Sequence, residues 1–198
     1  METTMKKGLL IILSGPSGVG KGTIRKKIIK NPDLNLAYSI SMTTREKREK
    51  EIEGEDYYFV SRETFLENIK RGNFLEHCEF VGNFYGTPKD KIEKLRLQGK
   101  NVFLEIEVSG ATEVMSKIDK DDYVSIFLTP PSMKTLESRI RKRRSESEEI
   151  IQKRLDKAKS ELGAGVNYDY IVVNDVLKKA AKAITDIIIE KIKENNEK

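Results

Sequence analysis

The sequence contains little of what builds disulfides, metal clusters or membrane spans. Its 198 residues include one cysteine, one histidine and no tryptophan. The single cysteine, Cys78, leaves no internal disulfide and no thiolate cluster for a metal, which favours a reducing, cytoplasmic location. The sequence also lacks an apolar run of the roughly 20 residues that a membrane helix needs, so we expect no membrane partner. An apolar run does follow Lys6 and Lys7, but it is short and leads directly into a glycine-rich segment, which excludes a signal peptide.

The composition is that of a globular protein. Charged residues make up 35% and hydrophobic residues 37%, and a chain of this length forms one domain with a sizeable core. The formal charge of +5 suits a polyanionic partner, although most of the lysines are interpreted as a solvated surface. The basic run at 139–144 has no aromatic residues between its arginines, so we expect nucleotides and no nucleic acid as partners.

The most informative segment is Gly8–Thr23, which reads GLLIILSGPSGVGKGT. Its apolar run predicts a buried parallel strand, and the spacing G-x-x-x-x-G-K follows. Such a loop forms a nest of backbone N–H groups at a helix N-terminus, and its lysine reaches the β- and γ-phosphates of a nucleotide. The alternative is a tight turn with a surface lysine. We predict that ATP is bound by Gly15, Pro16, Ser17, Gly18, Val19, Gly20, Lys21, Gly22 and Thr23.

One position departs from the usual phosphate loop. A serine or threonine normally follows the lysine and ligates Mg²⁺, but Gly22 stands there and Thr23 comes next. Either Thr23 substitutes, or the metal is held mainly by phosphates and water.

Apolar strands and amphipathic helices alternate along much of the chain. Helices are expected at 21–30, 62–71, 89–98, 110–118, 132–143, 148–162 and from Leu177 onward, and strands at 102–108, 123–128 and 170–173, with fraying over 194–198. This alternation predicts an α/β fold, a parallel sheet with helices on both faces and ligands at the carboxyl ends of its strands. The segment 36–87 differs, since its short β-like pieces at 37–41, 56–60 and 74–80 suggest an inserted substrate lobe.

Two arginines three residues apart, Arg45 and Arg48, follow the first of these β-like pieces. Planar guanidinium groups can fork onto one phosphate. The alternative is a pair of solvated arginines in the charged run REKREKEIEGED.

Several further motifs support one family. In chain order they are GPSGVGKGT, SISMTTR, EGEDYYFV, FLEH, GNFYGT and LEIEVSGA. In this order and spacing they resemble the bacterial-type guanylate kinases, which are P-loop nucleoside monophosphate kinases, over nearly the whole chain from Gly8 to Asp175. The resemblance implies a five-stranded parallel sheet with helices on both faces, an inserted mixed α+β GMP-binding lobe and a helical lid. Within one domain, 1–198, the core would be 6–35, 88–138 and 156–193, the lobe about 36–87 and the lid about 139–155.

The resemblance also implies an activity and a set of site residues. The expected reaction transfers the γ-phosphoryl group of ATP to GMP, and also to dGMP, with Mg²⁺, in purine nucleotide metabolism. The implied catalytic residues are Lys21, Arg45, Arg143 and Arg154. Arg139 and Asn174 would contact the adenosine, and Thr23 and Glu105 the metal. The implied GMP-binding residues are Ser41, Arg45, Arg48, Tyr57, Glu76, Tyr85, Thr87 and Glu107.

The chemistry of guanine agrees with the implied role of Glu76. Guanine offers N–H donors at N1 and N2, which a carboxylate can accept. Adenine lacks them and would leave Glu76 buried and unpaired, so AMP should be rejected.

The sequence departs from the family pattern at two places. Glu105 and Glu107 stand where aspartates are usual, and alternation along a strand would point both to one face. The added methylene shifts each carboxylate by about 1 Å, which matters in a site that works by positioning. Lys142, Arg143 and Arg144 replace a usual G-R-G, which could stiffen the lid.

Other interpretations compete with this one. A related kinase could use another acceptor, such as a ribosyl bisphosphate, and a guanylate-kinase-like module could bind phosphorylated peptides without catalysis.

His77 and Cys78 are interpreted as structural residues. A monomer or a small homo-oligomer is expected.

Overall fold

The computed structural model describes residues 6–80, 82–142 and 147–197. Nine strands and seven α-helices lie within these ranges. The strands are β1 (Leu10–Ser14), β2 (Leu36–Tyr38), β3 (Met42–Thr43), β4 (Tyr58–Phe59), β5 (Phe74–Phe80), β6 (Asn83–Pro88), β7 (Asn101–Glu105), β8 (Tyr123–Thr129) and β9 (Tyr170–Val173). The helices are α1 (Lys21–Ile28), α2 (Arg62–Lys70), α3 (Lys89–Leu97), α4 (Val108–Lys117), α5 (Met133–Arg141), α6 (Glu148–Leu162) and α7 (Leu177–Glu197).

Five strands form a parallel sheet in the order β2-β7-β1-β8-β9. Every residue of the central strand β1 is buried, which explains its unbroken apolar sequence. Leu9, Ile11 and Leu13 join one hydrophobic cluster, and Leu10 and Ile12 join another, so side chains alternate between the two covered faces. This arrangement confirms the predicted α/β class. It also brings the carboxyl ends of β1 and β7 to the same edge of the sheet.

A smaller mixed sheet has the order β4-β3-β6-β5. Strand β3 is parallel to β4 and antiparallel to β6, which also pairs antiparallel with β5. Helix α2 covers this sheet through Phe65, which is fully buried and stacks on Phe74 with ring centroids 4.5 Å apart and on Phe84 at 5.4 Å. Aromatic packing therefore holds this sheet on its helix.

Several sequence expectations need correction. The strand expected at 37–41 in the inserted lobe is β2, which ends at Tyr38 and pairs with β7 in the large sheet, so the transition between the sheets comes after Tyr38. Strand β7 ends at Glu105 rather than at 108, because helix α4 begins at Val108 with Glu107 as its N-cap. The two glutamates therefore do not alternate along one strand.

The remaining differences concern element ends. The segment 83–88, which carries no clear strand pattern, forms β6 because β3 and β5 pair with it on both sides. Helix α7 continues to Glu197, so residues 194–197 are helical and not frayed. Among the described residues, no helix combines the length and the apolar character that crossing a membrane requires.

Candidate active site

The phosphate loop follows β1 and leads directly into α1. Its glycines adopt backbone conformations that other residues avoid, with φ of +144° at Gly15, +83° at Gly18 and +108° at Gly20. A Cβ on Gly15 would lie 2.2 Å from the Leu128 carbonyl oxygen, and one on Gly20 would lie 2.6 Å from Asn174 Nδ2. The loop therefore requires glycine at these positions for space as well as for conformation.

Lys21 lies across this loop. Its Nζ donates to the carbonyl oxygen of Gly15 at 2.5 Å. Burial lowers the pKa of the ammonium group, whereas the carboxylates of Glu105, Glu107 and Glu161 act in the opposite direction. A cation with little hydration and several acidic neighbours is suited to bind a polyphosphate that carries its own metal ion.

A cleft of about 580 Å³ separates the phosphate loop and the end of β7 from the small sheet. It brings together many of the predicted donor and acceptor residues. They are Ser17, Gly18, Gly20, Lys21, Gly22, Ser41, Tyr57, Glu76, Tyr85, Glu105 and Glu107. Residues without a predicted role also line it, namely Cys78, Glu79, Ile106, Ser109, Gly110 and Lys157.

Glu76 is the most buried carboxylate of this cleft, with 7% of its surface exposed. Burial raises its pKa, while a hydrogen bond from Thr87 Oγ1 to Glu76 Oε1, 2.5 Å long, acts to lower it. A Cβ on Gly110 would lie 2.8 Å from the other carboxylate oxygen, so a glycine is needed beside it. Thr87 itself is fully buried, and its hydroxyl reaches the cleft only through its hydrogen bond to Glu76.

Arg45 is held at the edge of the acceptor side. Its guanidinium donates to Glu51 Oε1 and to the carbonyl oxygen of Glu46, both at 2.7 Å, and lies 5.5 Å from the centre of the Tyr57 ring. Hydrogen bonding to Glu51 is the main cause that raises its pKa. Arg48 is exposed and donates its backbone N–H to Glu51 at 2.9 Å. Glu51 thus organises the segment that carries both arginines.

Two further carboxylates stand where β7 passes into α4. Glu105 pairs with Arg25 Nε at 3.0 Å, and the Arg25 guanidinium lies 4.1 Å from the centre of the Tyr38 ring. Glu107 pairs with Lys157 Nζ at 2.5 Å. Both glutamates line the cleft, although only Glu105 belongs to the strand.

A second pocket of about 270 Å³ lies on the other side of the phosphate loop. Arg139 donates to the carbonyl oxygens of Asn174 at 2.8 Å and Val19 at 3.3 Å, and buried Asn174 donates from Nδ2 to Val19 at 2.8 Å. Thr23 lines this pocket and is not among the residues that line the cleft with Glu105. The two predicted metal ligands thus line different pockets on either side of the loop.

Of the two lid arginines predicted to be catalytic, the structure describes one. Arg154 Nη2 donates to Ser17 Oγ at 2.8 Å, which places this arginine on the phosphate loop. Arg143 lies outside the described residues. The thiol of Cys78 lines the cleft, and burial raises its pKa to about 11, so it stays protonated at neutral pH.

Four charged residues that contact predicted site residues escaped the reasoning from sequence. Lys157 and Glu161 could have been found, because they lie at helical spacing from Arg154 on α6. Arg25 and Glu51 gave no distinctive signal, since each belongs to a charged stretch that also suits a solvated surface.

Comparison with known proteins decides the family. A family model described as guanylate kinase matches residues 7–191. The chain belongs to the guanylate kinase family. The guanylate kinase of Malacoplasma penetrans is 51% identical over 194 residues, which cover 98% of this chain and 99% of that one. The guanylate kinase of Listeria innocua is 50% identical over 183 residues, covering 92% and 88%.

A solved structure agrees with this family membership. The crystal structure of the guanylate kinase from Anaplasma phagocytophilum is 35% identical, with a TM-score of 0.74, and covers 94% of this chain and 87% of that one. The resemblance drawn from the motifs is thereby confirmed, and so is the prediction of a kinase. The roles of individual residues in the guanylate kinase site remain predictions.

Proposed function

We propose that this chain transfers the γ-phosphoryl group of ATP to GMP, giving ADP and GDP. The observation that carries the proposal is the cleft itself, in which a phosphate loop with Lys21 faces a buried, hydrogen-bonded carboxylate, Glu76. The phosphate loop fits a polyphosphate donor, and the Glu76 carboxylate fits a base with adjacent N–H donors. We also propose dGMP as an acceptor.

The donor side binds ATP through the loop 15–23. Lys21 contacts the β- and γ-phosphates, and the backbone N–H groups surround them. Adenosine occupies the pocket lined by Arg139 and Asn174. The position of this pocket beside the phosphate loop supports the assignment. Arg154, already on Ser17, adds positive charge at the transferred group, and Arg143 is proposed to do the same.

The acceptor side binds GMP between the small sheet and α4. Ser41, Tyr57 and Tyr85 line the cleft and are proposed to hold the monophosphate with Arg45 and Arg48. Two carboxylates recognise the base. Glu76 accepts from the guanine N–H donors, and Glu107 accepts from its amino group, while Thr87 orients Glu76.

Mg²⁺ fits this site as an ion held mainly by phosphates and water. Gly22 offers no hydroxyl, but Glu105 Oε1 lies 3.3 Å from where a Cβ on Gly22 would stand, so a carboxylate oxygen fills that space. Glu105 would hold the ion, which neutralises phosphate charge when bound. Within residues 6–80, 82–142 and 147–197, no group of three or more acidic, histidine or cysteine side chains could hold a metal alone.

The reaction needs alignment more than covalent chemistry. An oxygen of the GMP phosphate attacks the γ-phosphorus in line, the bond from this phosphorus to the bridging β,γ oxygen breaks, and ADP leaves. The attacking phosphate is already ionised at neutral pH, so no side chain has to remove a proton. Lys21, Arg45 and Arg154 stabilise the developing charge. Closure of the proposed lobe (about 39–87) and lid (about 139–155) excludes water, which would otherwise hydrolyse ATP.

The test is an assay of ADP formation with a panel of acceptors. With ATP and Mg²⁺, GMP and dGMP should be phosphorylated, and AMP and UMP should show kcat/KM at least about 100-fold lower. Faster turnover of a ribosyl bisphosphate would support the related kinase instead. Binding of a phosphorylated peptide without any turnover would support the interaction module.

The cellular setting belongs to the same proposal. We place the enzyme in the cytoplasm, where its nucleotide substrates are found, with no nucleic-acid partner. A monomer or small homo-oligomer remains our expectation, and sedimentation would measure it.

A further inference from the structure

One face of α6 contacts both halves of the cleft. Arg154, Lys157 and Glu161 follow each other at helical spacing and therefore share this face. Arg154 donates to Ser17 of the phosphate loop at 2.8 Å, and Lys157 lies 2.5 Å from Glu107 on the acceptor side. The helix thus joins the two nucleotide sites through residues less than one turn apart.

Lys157 belongs to the cleft rather than to the outer surface. It lines the cavity, with Glu107 Oε2 at 2.5 Å and Glu161 Oε1 at 3.9 Å, and its side chain is 45% exposed. Although desolvation opposes it, the bond to Glu107 holds the pKa of Lys157 above its ordinary value. The ammonium group is therefore charged throughout the neutral range.

Glu107 needs such a partner because its side chain makes no capping hydrogen bond to α4. It lies at the N-cap of α4, beyond the end of β7, and its side chain is 50% exposed. A glutamate side chain has several rotatable bonds, and fixing it costs conformational entropy. The Glu107 carboxylate also acts to raise the pKa of Glu76, so the two negative charges disfavour each other. A lysine bonded to Glu107 restricts the side chain and offsets its charge.

We propose that Lys157 is a positioning residue that sets the preference for guanine over hypoxanthine. Its bond occupies Glu107 Oε2 and leaves Oε1 to accept from the amino group at C2 of the purine. Hypoxanthine lacks this group and is otherwise identical to guanine. This inference rests on the proposed function, since it presumes that GMP binds beside Glu107.

The test compares GMP with IMP in the variant Lys157→Gln. Calorimetry measures the dissociation constant of each monophosphate, and steady-state kinetics measure kcat and the KM values. Because a charged hydrogen bond that positions Glu107 is lost, GMP should bind about tenfold more weakly and IMP within about twofold of the parent. Saturating kcat and the KM for ATP should stay within about threefold. Lys157→Arg should restore most of the GMP preference.

The matched control is Lys153→Gln, one turn earlier on α6. Lys153 pairs with Glu149 at 2.7 Å, and both side chains are about three-quarters exposed. This variant should leave the GMP to IMP ratio unchanged. The double variant Glu107→Gln, Lys157→Gln should discriminate no worse than Glu107→Gln alone, because Lys157 acts through Glu107.

Two results would overturn the inference. Equal weakening of GMP and IMP would show that Lys157 merely supports the fold, and unchanged binding of both would show a surface ion pair of little consequence. Melting temperatures of the variants detect any loss of folding. If the parent chain phosphorylates no GMP in the acceptor panel, the proposed function itself fails. That outcome is read from the parent enzyme and does not depend on the ratio of GMP to IMP binding in the variants.

Discussion

In the phosphate loop, backbone groups are proposed to bind the nucleotide, whereas in the small sheet side chains are. The loop conformation is fixed by glycines at positive φ that pack against Leu128 and Asn174. The acceptor side is organised by pairs such as Arg45 with Glu51 and Thr87 with Glu76, each joined by one hydrogen bond between side chains. The donor site is therefore built into the sheet edge, and the acceptor site is assembled from separate segments.

This difference separates two kinds of specificity. A backbone nest recognises phosphate in any nucleotide, because it reads charge and shape. A buried carboxylate held by one hydroxyl, the role proposed for Glu76, can instead recognise a particular pattern of N–H donors. Changes in the donor half should consequently affect every acceptor alike, and changes in the acceptor half should affect GMP selectively.

The largest effect is expected from Lys21→Ala. This change removes the ammonium group that lies across the loop, so kcat should fall about 1,000-fold with every acceptor. Steady-state kinetics with GMP and dGMP measure it. Lys26→Ala is the control, since Lys26 is exposed on the same helix, and it should stay within about twofold. Activity of Lys21→Ala within tenfold of the parent would contradict the role of the lysine.

A smaller effect, on stability, is expected from Gly15→Ala. The added Cβ would lie 2.2 Å from a backbone oxygen of Leu128, which cannot move aside alone, so we expect a loss of about 3 kcal/mol in the free energy of unfolding. Gly72→Ala is the matched control. Gly72 has a φ of +66° but nothing within 4 Å of its Cβ position, so about 1 kcal/mol is expected. Urea denaturation measures both, and equal losses would show that conformation alone, not packing, sets the cost.

The smallest effect is expected from Thr87→Val. The Thr87 hydroxyl stabilises ionised Glu76, so its removal should raise the Glu76 pKa further above its ordinary value. Protonated Glu76 cannot accept both guanine donors, and the acid limb of kcat/KM for GMP should move to higher pH. At pH 8 the KM for GMP should change by no more than about threefold. The ionisation of the GMP phosphate is the same for parent and variant, so it cancels in their comparison. An unmoved acid limb would remove Thr87 from the recognition of the base.

Much of the donor half could be predicted from sequence because it is local. The spacing from Gly15 to Lys21 determines a strand, a nest and a helix within neighbouring residues, and the structure has them in that order. The apolar patterns of β1 and β8 likewise indicated buried strands of a parallel sheet. The similar pattern at 170–173 also suggested a buried strand, but β9 lies at the edge of the sheet and leaves Ile171 and Val173 about half exposed. These features depend on backbone geometry and on periodicity, both of which a short segment carries by itself.

The partners of the charged residues required the tertiary structure. Lys157 meets Glu107 across 50 positions, and Arg154 meets Ser17 across 137. The sequence offers many lysines and glutamates, and no local rule says which of them pair. The packing of α6 into the hydrophobic core through Ile151, Leu155 and Ala158 selected these contacts. The sequence alone determined where the phosphate loop lies and which family the chain resembles. The fold decided which side chains pair with the carboxylates of the cleft, because those contacts join distant segments.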